Sequence, residues 1–278
     1  MNKKRVIIIT TAVVTAAIVT AFAVDERITV RKETVYTNKV DAPIKLLLLS
    51  DHHSSDYGDD QKDLIKTIDK LSPDAILMTG DILDNRVNNL NAQIMLENIA
   101  QRYQCYYVSG NHEVSTNQLK RIKKYLRQIG VTVLEGENTV ADIRGQQIII
   151  GGLDDPLSFP DAKGRLWEEQ LNDCNVGLSD EYFSVLMSHR PERVDDYQAT
   201  DFDLILSGHA HGGQVILPGI INGLYAPNQG FFPKYAGGRY DLGDGQTMIV
   251  SRGLSKYLRP RVFNRPELVL ITVKPAKN

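Results

Sequence analysis

Cysteine is scarce in this chain: only Cys105 and Cys174 occur among 278 residues. The chain can therefore form one disulfide at most. Export from the cytoplasm would permit that bond, but Cys105 lies in the apolar run QCYYV, which favours a buried free thiol. The sequence leaves the pairing of the two cysteines open, and it leaves the oligomeric state open as well.

An excess of positive charge is also missing. The formal net charge is −2 at pH 7, and outside Lys3, Lys4 and Arg5 the chain has 29 basic and 34 acidic residues, a net charge of −5. Non-specific nucleic-acid binding depends on Lys and Arg side chains that neutralise phosphates. We therefore expect no nucleic-acid partner.

A long uncharged apolar run occurs once, at the N-terminus. Residues 6–24, VIIITTAVVTAAIVTAFAV, follow three basic residues, which is typical of an export signal, and a helix of this length can span a bilayer. The preferred interpretation is an uncleaved signal anchor over residues 1–24, and the alternative is a signal peptide cleaved at Ala21-Phe22-Ala23. Because the basic end stays in the cytoplasm, we expect the rest of the chain on the extracytoplasmic side of the cell membrane, or secreted after cleavage.

Short runs rich in Ile, Leu and Val, each bounded by Gly, Ser or Asp, recur along the rest of the chain and predict buried strands. They cover residues 44–49, 75–79, 105–109, 147–152, 183–187, 203–207, 247–251 and 267–273. Helical periodicity appears between the early runs, in residues 60–71 and 116–130. The five basic residues of the second helix are interpreted as its solvated face: Lys120, Arg121, Lys123, Lys124 and Arg127.

This alternation predicts an α/β fold in which helices cover a sheet. We expect one domain over residues 44–278, because about 235 residues suffice for a single sizeable core. Residues 25–43 would be a juxtamembrane segment between this domain and the signal anchor.

All six histidines follow predicted strands: His52, His53, His112, His189, His209 and His211. Asp51, Asp81, Asp84 and Asn111 occupy matching positions. Because ligands of α/β sheets bind beyond the carboxyl ends of the strands, we expect these loops to meet at one rim. Imidazole, carboxylate and amide groups suit first-row divalent metals, and there are more ligands than one ion needs. The sequence therefore indicates a two-metal centre.

Five motifs in order, D-x-H, GDxxD, GNHE, a lone His and GHxH, resemble the calcineurin-like metallophosphoesterase superfamily over about residues 44–275. GHAHGGQ, SRGL and NRPE resemble its membrane-associated bacterial subgroup of YkuE and YaeI type. The resemblance implies an α/β fold with a central β-sandwich flanked by helices in αββα layers. It also implies hydrolysis of phosphodiester or pyrophosphate bonds, with some members acting on UDP-2,3-diacylglucosamine.

The resemblance assigns a role to each motif residue. The metal ligands would be Asp51, His53 and His211 for the first ion, Asn111, His189 and His209 for the second, and Asp81 for both. His112 would be the general acid at the leaving group, and Asp84 would hydrogen-bond to a ligand or to His112. Mn²⁺ is the expected metal, and Fe, Zn, Co and Ni are the alternatives.

The GHxH segment explains how two neighbouring histidines can serve two ions. In an extended chain residues i and i+2 point the same way, so His209 and His211 are expected to reach different ions of a close pair. The glycines at 208, 212 and 213 allow the backbone to turn and approach without Cβ clashes. By the same alternation His52 should point away from the metals and be structural.

Two segments bear on the substrate. Arg252 and Arg261 belong to a basic run without acidic residues over 252–265, and they are candidates for contact with a substrate phosphate or lipid head group, with a solvated loop as the alternative. Residues 215–235 carry no charge before Lys234. They form either an ordinary loop or an apolar lip suited to an acyl chain or a membrane. We expect a lipid-linked phosphoester as substrate, with a soluble phosphodiester as the alternative.

Other metal-dependent classes fit the motifs less well. A metallo-β-lactamase-type hydrolase needs Asp-His after H-x-H, whereas His211 is followed by Gly-Gly-Gln. An amidohydrolase carries HxH after the first strand of its barrel, whereas here it follows the sixth apolar run. A non-catalytic metal-binding module on the same fold is the remaining alternative, but such modules lose ligands, and this chain retains all seven and His112.

Overall fold

The computed structural model describes residues 20–159, 165–256 and 261–276, together with residues 3, 10, 11, 14 and 15. Most of the predicted signal anchor over residues 1–24 therefore lies outside the described residues. Within the described ranges, no helix combines the length and the hydropathy that a bilayer span requires.

Two six-stranded sheets form the centre of the described chain, with strands numbered in chain order. The first sheet has the spatial order β1 (Thr29–Thr37), β14 (Glu267–Pro275), β2 (Ile44–Leu49), β3 (Ala75–Thr79), β4 (Gln104–Val108) and β5 (Thr132–Val133). The second has the order β12 (Gly238–Gly243), β13 (Gln246–Val250), β9 (Leu204–Ser207), β8 (Phe183–Met187), β7 (Gln146–Gly152) and β6 (Asn138–Ile143). Strands β2 to β5 are parallel, as are β7, β8, β9 and β13. A short hairpin pairs β10 (Tyr225–Ala226) with β11 (Gly230–Phe231).

The α-helices described after residue 29 are α1 (Lys62–Leu71), α2 (Leu90–Ala100), α3 (Asn111–Ser115), α4 (Leu119–Gln128), α5 (Arg165–Asn175) and α6 (Val194–Tyr197). The amphipathic pattern decides which face each one buries. Helix α1 buries Leu64 and Ile68, one turn apart, and they join the core on the outer face of the first sheet. Trp167 of α5 packs in a separate cluster on the second sheet.

Strand β2 shows why the apolar runs are continuous. Leu46 and Leu48 belong to the core between the two sheets, whereas Leu47 and Leu49 belong to the core under the helices. A segment covered on both faces, such as residues 46–49, needs apolar residues at successive positions. The predicted αββα layering is confirmed.

The segment predicted as a juxtamembrane linker contains a strand of the sheet. Strand β1 pairs in parallel with β14 over its whole length, from Thr29 opposite Glu267 to Thr37 opposite Pro275. An edge strand is covered by only one neighbouring strand, so TVRKETVYT is mostly half-buried or exposed and lacks the apolar run of the inner strands. The predicted domain start at residue 44 leaves out this strand.

Candidate metal centre

The predicted metal ligands lie together where strands of both sheets end. Their donor atoms form three groups, each within 4.8 Å: Asp51, His53 and His211; Asp81, His189 and His209; and His53, Asp81 and His112. The first two groups coincide with the two predicted triads, except that Asp81 stands in the place of Asn111. Asn111 completes the second triad, because its Oδ1 lies 3.3 Å from His189 Nε2.

Asp81 lies between two of these groups. Its Oδ2 lies 3.6 Å from His53 Nε2 in one group and 3.2 Å from His189 Nε2 in the other. Its Oδ1 accepts the backbone N–H of His112 at 2.8 Å. One carboxylate therefore faces both halves of the site while its second oxygen holds the neighbouring loop.

Five candidate ligands have a positive φ, between 47° and 66°: Asp51, His53, Asp81, His209 and His211. Non-glycine residues rarely adopt this left-handed region, and such strain concentrates at functional sites. The prediction of an extended HxH segment is therefore wrong. The two histidines reach different groups through a tight turn, in which Ala210 is helical.

The glycines allow two close approaches at this turn. The backbone N–H of His209 donates to both carboxylate oxygens of Asp51, at 3.0 and 3.1 Å. A Cβ on Gly208 would lie 1.9 Å from Ser50 Oγ, which would push the turn away from Asp51. At Gly212, where φ is +62°, a Cβ would lie 2.4 Å from the amide oxygen of Asn264.

Glu113, which the sequence analysis did not select, joins two ligand loops. Its buried carboxylate accepts backbone N–H groups of Asp81, Ile82, Leu83 and Gly110 at 2.7–3.0 Å. Burial and the nearby Asp81 raise the pKa of Glu113 to about 7. The residue is the last of the GNHE motif, so the motif itself carried the signal for it.

Asp84 contacts both residues that the sequence analysis offered as its partners. Its Oδ2 lies 2.7 Å from His53 Nδ1 and 3.0 Å from His112 Nδ1. Burial opposes the charged carboxylate, but contacts with His112 and His53 outweigh burial and lower the pKa of Asp84. The same pairing outweighs burial at His112 and raises the pKa of that imidazole. Asp84 thus orients the ring of His53 and favours a protonated His112.

The donor set fits divalent metal ions. His53 Nε2 is buried and has no hydrogen-bond partner, although it faces Asp81. Burial and neighbouring positive groups lower the pKa of His209 and of His211, so both rings are neutral at pH 7, as metal ligation requires. Burial disfavours the charged form of His189, but Asp81 outweighs it and raises the pKa of His189 to about 10. In the metal-free protein the protonated His189 therefore neutralises the charge of the Asp81 carboxylate.

The centre opens into a pocket of about 360 Å³. The predicted site residues that line it are Asp81, Asn111, His112, His209 and His211. Four polar lining residues were not selected from the sequence: Arg86, Arg190, Gln214 and Asn228. A cavity of this size is at the lower end of the range for small-ligand sites.

Arg190 presents a buried cation to this pocket. Its Nε and Nη2 donate to the two oxygens of Asp155 at 2.6 and 2.9 Å, and its Nη1 donates to Asn228 Oδ1 at 2.7 Å. Asn228 Oδ1 also lies 2.9 Å from His209 Nε2. This contact leaves His209 Nδ1 as the donor atom of the group formed with Asp81 and His189. The only sequence signal for Arg190 was its position directly after His189.

Arg252 and Arg261, the predicted substrate contacts, are not among the residues that line the pocket. The buried guanidinium of Arg261 donates to the carbonyls of Arg252 and Gly253 at 2.6 and 3.2 Å, so it supports the backbone. His52 is buried, with Nε2 3.3 Å from Gln61 Oε1, and it stands outside the three metal groups.

Comparison with known proteins gives consistent matches. Residues 44–213 match the family of calcineurin-like phosphoesterases. The chain is 33% identical over 240 residues to the uncharacterized metallophosphoesterase YkuE of Bacillus subtilis, covering 83% of this chain and 79% of that protein. It is 31% identical over 242 residues to the uncharacterized metallophosphoesterase Cj0846 of Campylobacter jejuni, covering 84% and 60%. Among solved structures it is similar to a dimetal phosphatase from Danio rerio, with a TM-score of 0.43 at 14% identity, covering 77% of this chain and 88% of the other.

The family match extends from the start of β2 to the HxH turn. It therefore includes every predicted metal ligand from Asp51 to His211. The chain belongs to the calcineurin-like phosphoesterase family.

Proposed function

We propose that this protein uses two divalent metal ions to hydrolyse phosphodiester or pyrophosphate bonds of a lipid-linked substrate. The observation that carries the two-metal proposal is the place of Asp81, whose Oδ2 faces His53 on one side and His189 on the other. Enzymes that cleave phosphoesters use such a shared carboxylate to hold a close pair of ions.

The bound metals would supply Lewis acidity, which activates water and offsets phosphate charge. His112 holds the proton for the leaving oxygen. Because its Nδ1 faces Asp84 at 3.0 Å, Nε2 is the nitrogen that is free to donate. Arg190 would offset the charge of a non-bridging phosphate oxygen, and this role is supported by the position of its side chain in the pocket lining beside His209.

The proposed substrate class and location rest on apolar features. The uncharged run over residues 6–24 is suited to a signal anchor, which would place the catalytic domain at the extracytoplasmic face of the membrane. Leu157 and Pro227 add apolar side chains to the pocket lining. A reporter fused after residue 278 should be active outside the cytoplasm and should fractionate with membranes. Recovery as a soluble species that starts near Val24 would contradict the anchor.

A turnover panel tests the proposed reaction. With Mn²⁺ bound, the full chain should hydrolyse a bis-aryl phosphodiester and a nucleoside-diphosphate lipid faster than an aryl monoester. Chelation should abolish all three activities. The panel is repeated with Zn²⁺, Fe²⁺, Co²⁺ and Ni²⁺; metal-loaded protein without turnover in every case would favour the non-catalytic module. Equal turnover of soluble and lipid-linked diesters would favour a soluble substrate.

Arg190→Gln should lower kcat/KM for phosphodiesters about 10²-fold, because loss of one pre-oriented donor to developing charge costs about 10² to 10³-fold. Arg193→Gln is the matched control, since that guanidinium pairs with Asp196 and covers Trp167 outside the pocket lining. Arg190→Lys retains the charge but loses the two-pronged contact with Asp155, so it should recover only part of the rate. Unchanged kcat/KM in metal-loaded, folded Arg190→Gln would remove this arginine from the mechanism.

A further inference from the structure

Large apolar side chains are exposed in one stretch beside the pocket. In residues 217–232, which we call the apolar loop, Leu217 is 40% exposed, Ile220 78%, Phe231 70% and Phe232 65%. Single exposed apolar residues are ordinary on protein surfaces, but several large ones within one loop are typical of an interaction site.

Hydrogen bonds hold the apolar loop in shape. The backbone N–H of Ile220 donates to Leu217 O at 2.9 Å, and that of Phe232 donates to Leu224 O at 2.8 Å. The ring of Phe231 packs edge-on against Tyr225, with 5.4 Å between centroids. These side chains are therefore presented outwards by a structured backbone and do not fold back into the core.

The charge pattern of the loop suits a lipid surface. Residues 215–233 contain neither an acidic nor a basic residue, so contact with lipid would desolvate no charged side chain. The first charge is the exposed Lys234, whose sign favours anionic head groups.

The base of the apolar loop lies close to the end of the N-terminal apolar run. The backbone N–H of Phe263 donates to Ala23 O at 2.6 Å, while its neighbour Val262 pairs with the loop base through Ile216 N to Val262 O at 2.9 Å. The end of the apolar run and the base of the loop are therefore hydrogen-bonded to two adjacent residues, Phe263 and Val262.

The same loop also reaches the metal centre. Pro227 and Asn228 line the pocket, and Asn228 contacts both His209 and Arg190. Whatever covers the exposed side of the loop would therefore stand next to the pocket mouth.

We propose that the apolar loop docks onto the lipid bilayer that the N-terminal run enters, and that it thereby holds the pocket at the level of the lipid head groups. The proposal rests on the membrane location in the proposed function. Ile220, Phe231 and Phe232 enter the interface, and Lys234 stays at its aqueous edge.

An environment-sensitive fluorophore on a single new cysteine tests this docking. Ile220→Cys carries the probe, and Val176→Cys is the matched control, 71% exposed and beside β6. The native Cys105 and Cys174 are buried, so an added surface thiol reacts selectively. On reconstitution of the full chain into phosphatidylglycerol–phosphatidylcholine vesicles, the emission at position 220 should shift to the blue and be quenched by a lipid-borne nitroxide. The emission at position 176 should not change.

Three outcomes would overturn the docking. The first is that the full chain does not bind the vesicles. The second is that the probe at position 220 remains exposed to water on vesicle-bound protein. Alternatively, the probe becomes shielded without lipid as the protein concentration rises, which would mean that a second copy covers the loop. The fluorescence does not require hydrolysis, so a failure of the proposed reaction would leave this result intact.

Activity gives a second measurement. Ile220→Ser and Phe232→Ser combined should lower kcat/KM for a vesicle-borne phosphodiester at least about tenfold, since burial of one large apolar side chain corresponds to about that factor. Turnover of a soluble bis-aryl phosphodiester should be unchanged. Equal kcat/KM of variant and wild type on vesicle-borne substrate would contradict the docking.

Discussion

Asp81→Asn is expected to weaken both metal sites together and to lower turnover to the level of metal-free protein. The substitution retains the Oδ1 acceptor for the His112 backbone N–H but removes the charge that faces His53 and His189. Loss of a group that merely orients a metal ligand costs about 10- to 100-fold in affinity. Loss of a shared ligand should therefore exceed about 100-fold at each site.

Metal analysis after dialysis, combined with calorimetric titration of Mn²⁺, measures the effect. Asp60→Asn is the matched control, because this exposed residue has a positive φ that Asn tolerates. It should bind two ions like the wild type. Loss of one ion only in Asp81→Asn would assign Asp81 to a single site, and one ion in fully active wild-type protein would end the two-metal proposal.

His112→Gln should cost about 10² to 10⁴-fold in kcat for a substrate with an alkoxide leaving group, or roughly 3 to 5 kcal/mol of barrier. The reason is that Asp84, whose Oδ2 lies 3.0 Å from His112 Nδ1, favours the protonated imidazole. p-Nitrophenolate departs without a proton, so the same variant should lose only about tenfold on its ester. Parallel kinetics on the two substrates give the ratio directly.

Metal content must be measured in the same preparation, because His112 also forms a donor group with His53 and Asp81. Two retained ions with a leaving-group-dependent loss support the general acid. Equal losses on both substrates would leave His112 a positioning role. Loss of one ion would make it a ligand, and the assignment of the GNHE loop would then be wrong.

The strand layout followed from the sequence where burial is complete. Inner strands such as β2 are covered on both faces, so most of their length, such as residues 46–49, appears as an apolar run that can be recognised without the fold. Strand β1 has one neighbouring strand and a mixed composition, and its membership of the sheet depends on β14, more than 200 residues away. No local pattern carries that information.

The meeting of the candidate metal ligands was also predictable, because their chemistry is unusual and their positions share one rule. Six histidines, three aspartates and one asparagine at strand ends point to a common rim whatever the loop geometry. The orientation of each ligand was not predictable. It depends on the left-handed backbone at residues such as His209 and His211, which the surrounding loops impose.

The surroundings of individual charged side chains were likewise not predictable from the local sequence. Lys123 sits in a run that predicts a solvated helix face, yet its ammonium is buried 2.6 Å from Asp154 and 2.7 Å from Glu135. Arg261 looked like a substrate contact and supports the backbone, whereas Arg190 faces the pocket. The sequence by itself determined the layers, the family and the candidate metal ligands, because these depend on local pattern and chemistry. Only the tertiary structure decided which cations face the pocket, because partners distant in sequence, such as Asp155 and Asn228 for Arg190, set the direction of each side chain.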